Sequence, residues 1–141
     1  MIAARRSFTL IEIAAAVGIL GMILLVSIPV LSSMLAVIEL KSVARGIVTD
    51  LRLAQELSSS GRSTVAVEFL PKGFLGEPAR YVVGKRRVEL PEKFDFKSKK
   101  TITFSPSGFT PPGGSGTVTV TDMGGRIKRI MVSSAGRVRM E

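Results

Sequence analysis

The sequence predicts an α+β fold, in which one long N-terminal helix has an amphipathic half that packs on a small antiparallel β domain. Three observations predict it. No charged residue occurs from Ile13 to Ile38, and an amphipathic pattern follows directly. Eleven of the 14 glycines and six of the seven prolines lie beyond residue 60. Short alternating runs between these helix-breaking residues are typical of strands.

The apolar run is long enough to cross a membrane. A spanning helix needs about 20 apolar residues, whereas the apolar region of a cleavable secretory signal has ~7–15. This run is longer and continues into a second helical pattern, so we expect a retained span. Arg5 and Arg6 precede it, and no basic residue follows until Lys41, which predicts a cytoplasmic N-terminus. Pro29 lies inside the run and predicts a kink or local unwinding near residues 25–29.

Beyond Ile38 the apolar residues recur at spacings of three and four, as they do on one face of a helix. This apolar stripe consists of Leu40, Val43, Ala44, Ile47, Leu51, Ala54 and Leu57. Ser58-Ser59-Ser60-Gly61 predicts the end of the helix. We expect the stripe to pack on the domain that follows.

Seven runs after residue 60 predict strands. They are Thr64–Leu70, Arg80–Val83, Arg86–Leu90, Thr101–Phe104, Thr117–Thr121, Arg126–Val132 and Arg137–Met140. Gly84-Lys85 predicts a tight hairpin turn, and the segment Asp122–Gly125 predicts a slightly longer one. The stretch Ser105–Gly116 is rich in glycine and proline and predicts a flexible surface loop.

The charge and composition restrict the function. The formal net charge is +9, and 15 basic residues face 7 acidic ones from Arg62 onward. Such a surface suits nucleic acid, lipid headgroups or an acidic protein, or it only keeps the domain soluble. The chain has no histidine and no cysteine, which removes the commonest general base and every thiolate ligand. We therefore expect no catalytic site, no metal site and no cofactor.

Glu12 is the only charge in the apolar run, at its N-terminal edge. A lone carboxylate there is costly unless it finds a partner or reaches the headgroups. The segment Arg6–Glu12, which reads Arg-Ser-Phe-Thr-Leu-Ile-Glu, resembles the class III signal of type IV pilins and type II secretion pseudopilins. The resemblance implies that a prepilin peptidase cuts between Ser7 and Phe8 and N-methylates Phe8. It also implies that Glu12 and Pro29 act in assembly. The family usually has glycine where this chain has Ser7.

A second motif, Gly136-Arg137-Val138-Arg139, lies near the C-terminus. Strand alternation places Arg137 and Arg139 on one face, either as the charged exposed face of a last strand or as two guanidiniums that grip phosphates. This ending resembles the GspH/FimT group of minor pilins and pseudopilins. In its FimT-like branch a similar motif is associated with DNA binding during natural transformation.

The candidate anion-binding residues are therefore Arg137, Arg139, Lys128 and Arg129. Other basic groups lie at Lys85-Arg86-Arg87 and at residues 97–100. If they converge with Arg137 and Arg139 they form an anion-binding groove, and if they scatter they only solvate the domain. Both arrangements stay open at the level of sequence.

The predicted organisation is a leader peptide (1–7), a transmembrane and assembly helix (8–38), an amphipathic helix (39–60) and a periplasmic β-rich domain (61–141). The leading interpretation is a minor pilin or pseudopilin near the filament tip or in priming, in a type II secretion pseudopilus or a type IV pilus. It resides in the bacterial inner membrane before assembly, and its partners are other pilins or pseudopilins and the prepilin peptidase. The alternatives are a FimT-like pilin that binds DNA and an unprocessed bitopic membrane protein with a periplasmic binding domain.

Overall fold

The structure, a computed structural model, describes residues 9–74, 76–97 and 99–141. Its first element is one uninterrupted helix, α1, over Leu10–Ser60. Thr9 caps this helix, because its Oγ1 accepts a hydrogen bond from the backbone N–H of Glu12 at 3.3 Å. Pro29 lies inside α1, and the helix is not unwound around it. A bend of the helix axis at Pro29 stays a prediction.

The contacts divide the chain into two compact units, one ending at Ala36 and the other comprising Val37–Glu141. In the first unit the large apolar side chains of α1 are exposed. Within the described residues, α1 is the one helix long and apolar enough to span a membrane, with a mean hydropathy of 2.6 over its most apolar window and none of that window buried. A signal sequence meets the same criteria of length and composition.

Eight strands follow α1 in the part of the chain that the structure describes. They are β1 (Val65–Leu70), β2 (Arg80–Val83), β3 (Arg86–Glu89), β4 (Phe94–Phe96), β5 (Lys100–Phe104), β6 (Gly116–Asp122), β7 (Ile127–Val132) and β8 (Val138–Met140). They form two antiparallel four-stranded sheets with the orders β3-β2-β1-β5 and β4-β6-β7-β8. The predicted α+β fold is confirmed, and seven strands agree with their predicted bounds to within one residue. Strand β4 is the unpredicted eighth, because three residues are too few to establish an alternating pattern.

Short turns join most neighbouring strands. Gly84 has φ +60° in the two-residue connection from β2 to β3, as the first position of a type II′ turn requires. Between β6 and β7 the Gly125 N–H donates to the Asp122 carbonyl at 3.1 Å. Both turns lie where the glycines predict them. The predicted loop between β5 and β6 contains two more hydrogen-bonded turns, closed by the N–H groups of Gly108 and Gly114.

The second unit has one apolar core between the helix and the sheets. The stripe that α1 buries consists of Leu40, Ala44, Ile47, Leu51, Ala54 and Ser58. Leu57, predicted to belong to this stripe, is 47% exposed, so that part of the prediction is wrong. The spacing alternates between four and three residues, which brings Ser58 rather than Leu57 onto the buried face. The Ser58 hydroxyl remains satisfied because it donates to the carbonyls of Gln55 and Ser105.

Polar contacts of Asp50 also join α1 to the first sheet. The Tyr81 hydroxyl of β2 donates to Asp50 Oδ2 of α1 at 2.6 Å. Arg86 lies 3.6 Å from the other carboxylate oxygen of Asp50. Burial raises the pKa of the Tyr81 phenol well above its usual value; the hydrogen bond and charge of Asp50 raise it further, whereas Arg86 acts in the opposite direction.

The contact predicts an alkaline titration that isolates one residue. Tyr81 is the only tyrosine, so ultraviolet absorbance reports its ionisation alone. In the folded chain we expect the phenol to stay protonated well above pH ~10, the usual midpoint, and to ionise near that value in urea. The folded state favours the neutral phenol. Its contribution to stability is therefore complete below the unfolded pKa and is lost as the pH rises through the folded pKa.

Asp50→Asn is the control for this titration, because it removes the negative charge but keeps the burial. We expect the midpoint of Tyr81 to fall part of the way toward its usual value in this variant. A midpoint near pH ~10 in the folded wild-type chain would contradict the contact.

Candidate functional site

The Gly-Arg motif begins in the turn between β7 and β8. The Gly136 N–H donates to the Ser133 carbonyl at 2.9 Å, and the Ser133 N–H donates to the Arg137 carbonyl at 3.0 Å. Gly136 has φ +74°. This is a hairpin turn in which a left-handed residue closes a bulge, a conformation that glycine adopts without strain. Arg137 therefore follows the turn and directly precedes β8.

Gly136 also sits in close contact with two other segments. A Cβ at this position would overlap the Gly108 carbonyl oxygen and would lie 2.6 Å from Gln55 Nε2. The same Gln55 amide, on α1, donates to the Gly108 carbonyl at 2.7 Å. Helix, loop and hairpin thus meet at Gly136, and this contact sets the position of the motif relative to α1.

Substitution of Gly136 by alanine is expected to lower the free energy of unfolding by more than the ~1–2 kcal/mol of a left-handed alanine. The extra cost comes from the overlap with the Gly108 carbonyl. Gly125→Ala is a matched control, because Gly125 has the same φ of +74° and nothing within 4 Å of its added Cβ. Thermal unfolding of the two variants measures the difference. Equal losses of stability would contradict the close packing at Gly136.

The strand register places Arg139 on the outer face of the second sheet. Arg139 of β8 pairs with Met131 of β7, and the neighbouring pair Val138–Val132 faces the core. Alternation puts Arg137 on the same side as Arg139. Both arginines are exposed.

The same register separates the two basic candidates of β7. Arg129 lies beside the buried Ile130 and therefore shares the outer face with Arg139, at about 7–8 Å on the diagonal. Its backbone pairs with Glu141, which brings a carboxylate to that end of the face. Lys128 pairs with the buried Val120 and lies toward the opposite, inner face. The structure thus brings Arg137, Arg139 and Arg129 to one face and leaves Lys128 off it.

Two open grooves lie side by side at the motif, and Ala135, Arg137 and Arg139 line both of them. The first, which we call the face groove, has a volume of about 580 Å³. It is also lined by Ser115, Gly116, Thr117, Met131, Val132 and Ser133. The second, which we call the helix groove, has a volume of about 380 Å³. It is also lined by Arg52, Gln55, Gly136 and Val138.

Arg52 is a member of the site that sequence reasoning missed. It lies in the exposed part of the amphipathic helix, and no local pattern distinguishes it from Lys41 or Arg45. Only folding brings it beside Arg137 and Arg139. The basic group at Lys85–Arg87 lines neither groove, and neither do Lys97 and Lys99. Lys100 is not part of the lining either, but its side chain packs against Gly116 at the edge of the face groove.

Among the residues that the structure describes, four arginines on this part of the surface have no carboxylate partner, whereas several other basic residues do. Within the described ranges, Arg52, Arg129, Arg137 and Arg139 form no ion pair. By contrast, Lys99 lies 2.8 Å from Glu68, and other ion pairs join Lys93 to Glu39 and Arg80 to Glu77. Guanidiniums without carboxylate partners stay available to an anionic ligand, which Arg binds in bidentate geometry.

The structure describes only part of the N-terminal segment that holds the candidate processing and assembly residues. Ser7 and Phe8 lie outside the described residues. Glu12 is exposed in the first turn of α1, three residues after the capping Thr9. This spacing is that of a capping box, in which the glutamate supports the helix N-terminus. The hydrogen bond of this cap uses the backbone N–H of Glu12, and the carboxylate stands in the first turn, where the helix dipole favours a negative charge. Among the described residues, no group of three or more acidic side chains has the arrangement of a metal site.

Comparisons with known proteins bear on the fold. No family model matches the chain, and no curated protein matches it either. Among solved structures it is similar to the crystal structure of the type IV minor pilin FimU from Pseudomonas aeruginosa, strain PAO1. The identity is 20%, the TM-score is 0.55, and the similarity covers 73% of this chain and 88% of FimU. The predicted pilin-like architecture is thereby confirmed: this chain has the pilin-like α+β fold.

Proposed function

We propose that this chain is a minor pilin-type subunit that enters a type IV pilus or a type II secretion pseudopilus through its N-terminal helix. The observation that carries the proposal is the similarity of the fold to that of a type IV minor pilin. The signal-like segment before the apolar run supports it. The partners we propose are other minor and major pilins or pseudopilins and the prepilin peptidase, and the site of action is near the filament tip or in priming.

The proposed mechanism uses the two ends of the apolar segment. Arg5 and Arg6 hold the N-terminus on the cytoplasmic side of the inner membrane. Cleavage between Ser7 and Phe8 creates an ammonium at Phe8, four residues from Glu12. In a bundle of apolar helices, Glu12 of one subunit pairs with the terminal amine of a neighbour. An unpaired charge is expensive in such surroundings, so the pair discriminates between correct and slipped registers.

The mass of the mature N-terminus tests this function. A chain that begins at methylated Phe8 supports a pilin-type subunit, whereas a chain that begins at intact Met1 supports an unprocessed bitopic membrane protein. Ser7→Gly is the matched control, because it restores the residue that the resemblance predicts before the cut. Cells that process the Ser7→Gly variant but leave the wild type intact would contradict the proposal for the native chain.

A second candidate function, DNA binding, is favoured by the three arginines that line the two grooves, Arg52, Arg137 and Arg139. Cationic side chains that neutralise phosphates give an affinity that falls with salt. We expect the full chain in detergent to bind DNA with an affinity that falls as the salt concentration rises. In an Arg137→Ala/Arg139→Ala double variant the slope against salt should fall by about 0.9 for each duplex phosphate that these arginines neutralise.

Lys85→Ala/Arg87→Ala is the matched control, because these two cations are exposed and line neither groove. Lys85 lies in the turn between β2 and β3, and Arg87 lies in β3. Salt-dependent binding that changes equally in both double variants would indicate a diffuse charge effect. Binding unchanged in the Arg137→Ala/Arg139→Ala variant would refute the motif as the site.

A further inference from the structure

The two grooves differ in chemical character on either side of the same pair of arginines. The helix groove adds the guanidinium of Arg52 and the amide of Gln55 to Arg137 and Arg139. The face groove adds no further charged residue to its lining, although the Lys100 ammonium lies at its edge, against Gly116. Its wall is partly apolar, with Met131, Val132 and Ala135, and partly hydroxylic, with Ser115, Thr117 and Ser133.

These differences match the two halves of a nucleotide. A phosphate group needs cationic donors, which the helix groove supplies from two separate chain segments. A base needs an apolar surface for its ring and hydrogen-bonding groups for its edge, and the face groove supplies both. The thioether of Met131 makes favourable contacts with aromatic rings. At about 580 Å³, the face groove has the volume of a site for a small organic group.

We infer that this site selects single-stranded over duplex DNA, an inference that rests on the DNA-binding role proposed above. Backbone phosphates lie in the helix groove against Arg52, Arg137 and Arg139. Unstacked bases enter the face groove beside Met131 and Ala135. The guanidiniums between the grooves contact both parts of the nucleotide.

Duplex DNA fits this arrangement less well. Its bases are stacked inside the helix and expose only their edges in the grooves. A two-stranded β-ribbon can enter the major groove, but β7 and β8 are not free to do so. Strand β7 is bonded to β6 on its other side along its whole length, from Thr121–Ile127 to Gly116–Val132. A duplex therefore reaches the arginines through its phosphates alone and leaves the face groove empty.

The test compares two ligands with equal numbers of phosphates on the full chain in detergent: labelled oligo(dT) and a hairpin duplex. At the same salt concentration we expect oligo(dT) to bind roughly tenfold more tightly, because base contacts add to the phosphate contacts. Equal affinities, or tighter binding of the duplex, would overturn the inference.

Two pairs of variants assign the two roles, each pair consisting of a test and its control. Met131→Ala removes the apolar wall and should reduce the preference for oligo(dT) to about threefold or less, while Met131→Leu should retain it because its volume and apolar character are similar. Arg52→Ala should weaken the binding of both ligands. It should also lower the slope of log affinity against log salt concentration by about 0.7 for the single strand. Arg45→Ala, two turns earlier on the same helix, should change neither.

Each remaining outcome is decisive. A preference unchanged in Met131→Ala would overturn the face groove as the site for bases, and a salt slope unchanged in Arg52→Ala would overturn the helix groove as the site for phosphates. Absence of binding to either ligand at low salt would remove the DNA-binding role and this inference with it. That result would leave the proposed assembly role intact, because the mature N-terminus tests assembly independently.

Discussion

Replacement of Glu12 by alanine is expected to leave membrane insertion intact and to abolish co-assembly with partner pilins. Insertion persists because the charge-free run from Ile13 to Ile38 is unchanged. Assembly fails because the variant leaves the terminal amine of a neighbouring subunit without its proposed partner in an apolar bundle. Breaking a buried charge pair in this way costs about 3–5 kcal/mol. The same cost arises at each contact between subunits.

The control for this experiment follows from the cap at the start of α1. Glu12 stands three residues after Thr9, whose hydroxyl accepts the backbone N–H of Glu12. Alanine keeps this hydrogen bond but removes a negative charge from the first turn, where the helix dipole favours it. Glu12→Gln keeps a side chain that is compatible with the capping position and removes only the charge. If the charge pair drives assembly, both variants should fail in a pull-down of partner pilins from membranes. Normal recovery of partners by Glu12→Gln would show that the charge is not needed.

Replacement of Phe69 by alanine is expected to lower the free energy of unfolding of the second unit by about 3–5 kcal/mol. Phe69 is fully buried in β1 of the first sheet. Its ring lies 5.7 Å from that of Tyr81 in the same sheet and 5.2 Å from that of Phe96 in the second sheet. Alanine would leave a cavity where the two sheets meet. Because small domains have only about 5–15 kcal/mol of stability, this loss would be a large fraction of the total.

Urea unfolding of residues 37–141, followed by circular dichroism, measures this loss. Phe109→Ala is the matched control, because that phenylalanine is 56% exposed and surface substitutions usually change stability by no more than about 0.5 kcal/mol. Phe69→Leu gives a graded intermediate if the alanine variant does not fold. A loss below about 1 kcal/mol for Phe69→Ala would contradict its place at the centre of the core.

The elements of this fold could be predicted from sequence where their signals are local. The three- and four-residue spacing from Leu40 to Ala54 marks the buried side of α1, and the alternation of Val65, Val67 and Phe69 marks β1. Turn glycines mark the hairpins at Gly84 and Gly125. Prediction failed where the signal was short or ambiguous: β4 has three residues, and Leu57 lies at an allowed spacing but one position away from the buried face.

Local patterns in the chain were enough to specify the membrane-length helix, the signal-like segment with Glu12 and the α+β composition, because each depends on residues close together in sequence. The division of the strands into two sheets, and the separation of Lys128 from Arg129, became evident only once the chain was folded. Folding also brought Arg52 of the helix beside Arg137 and Arg139, with Gly136 held against Gln55 and Gly108. These are contacts between distant segments, and they depend on strand register and on how the helix packs, which no local pattern specifies.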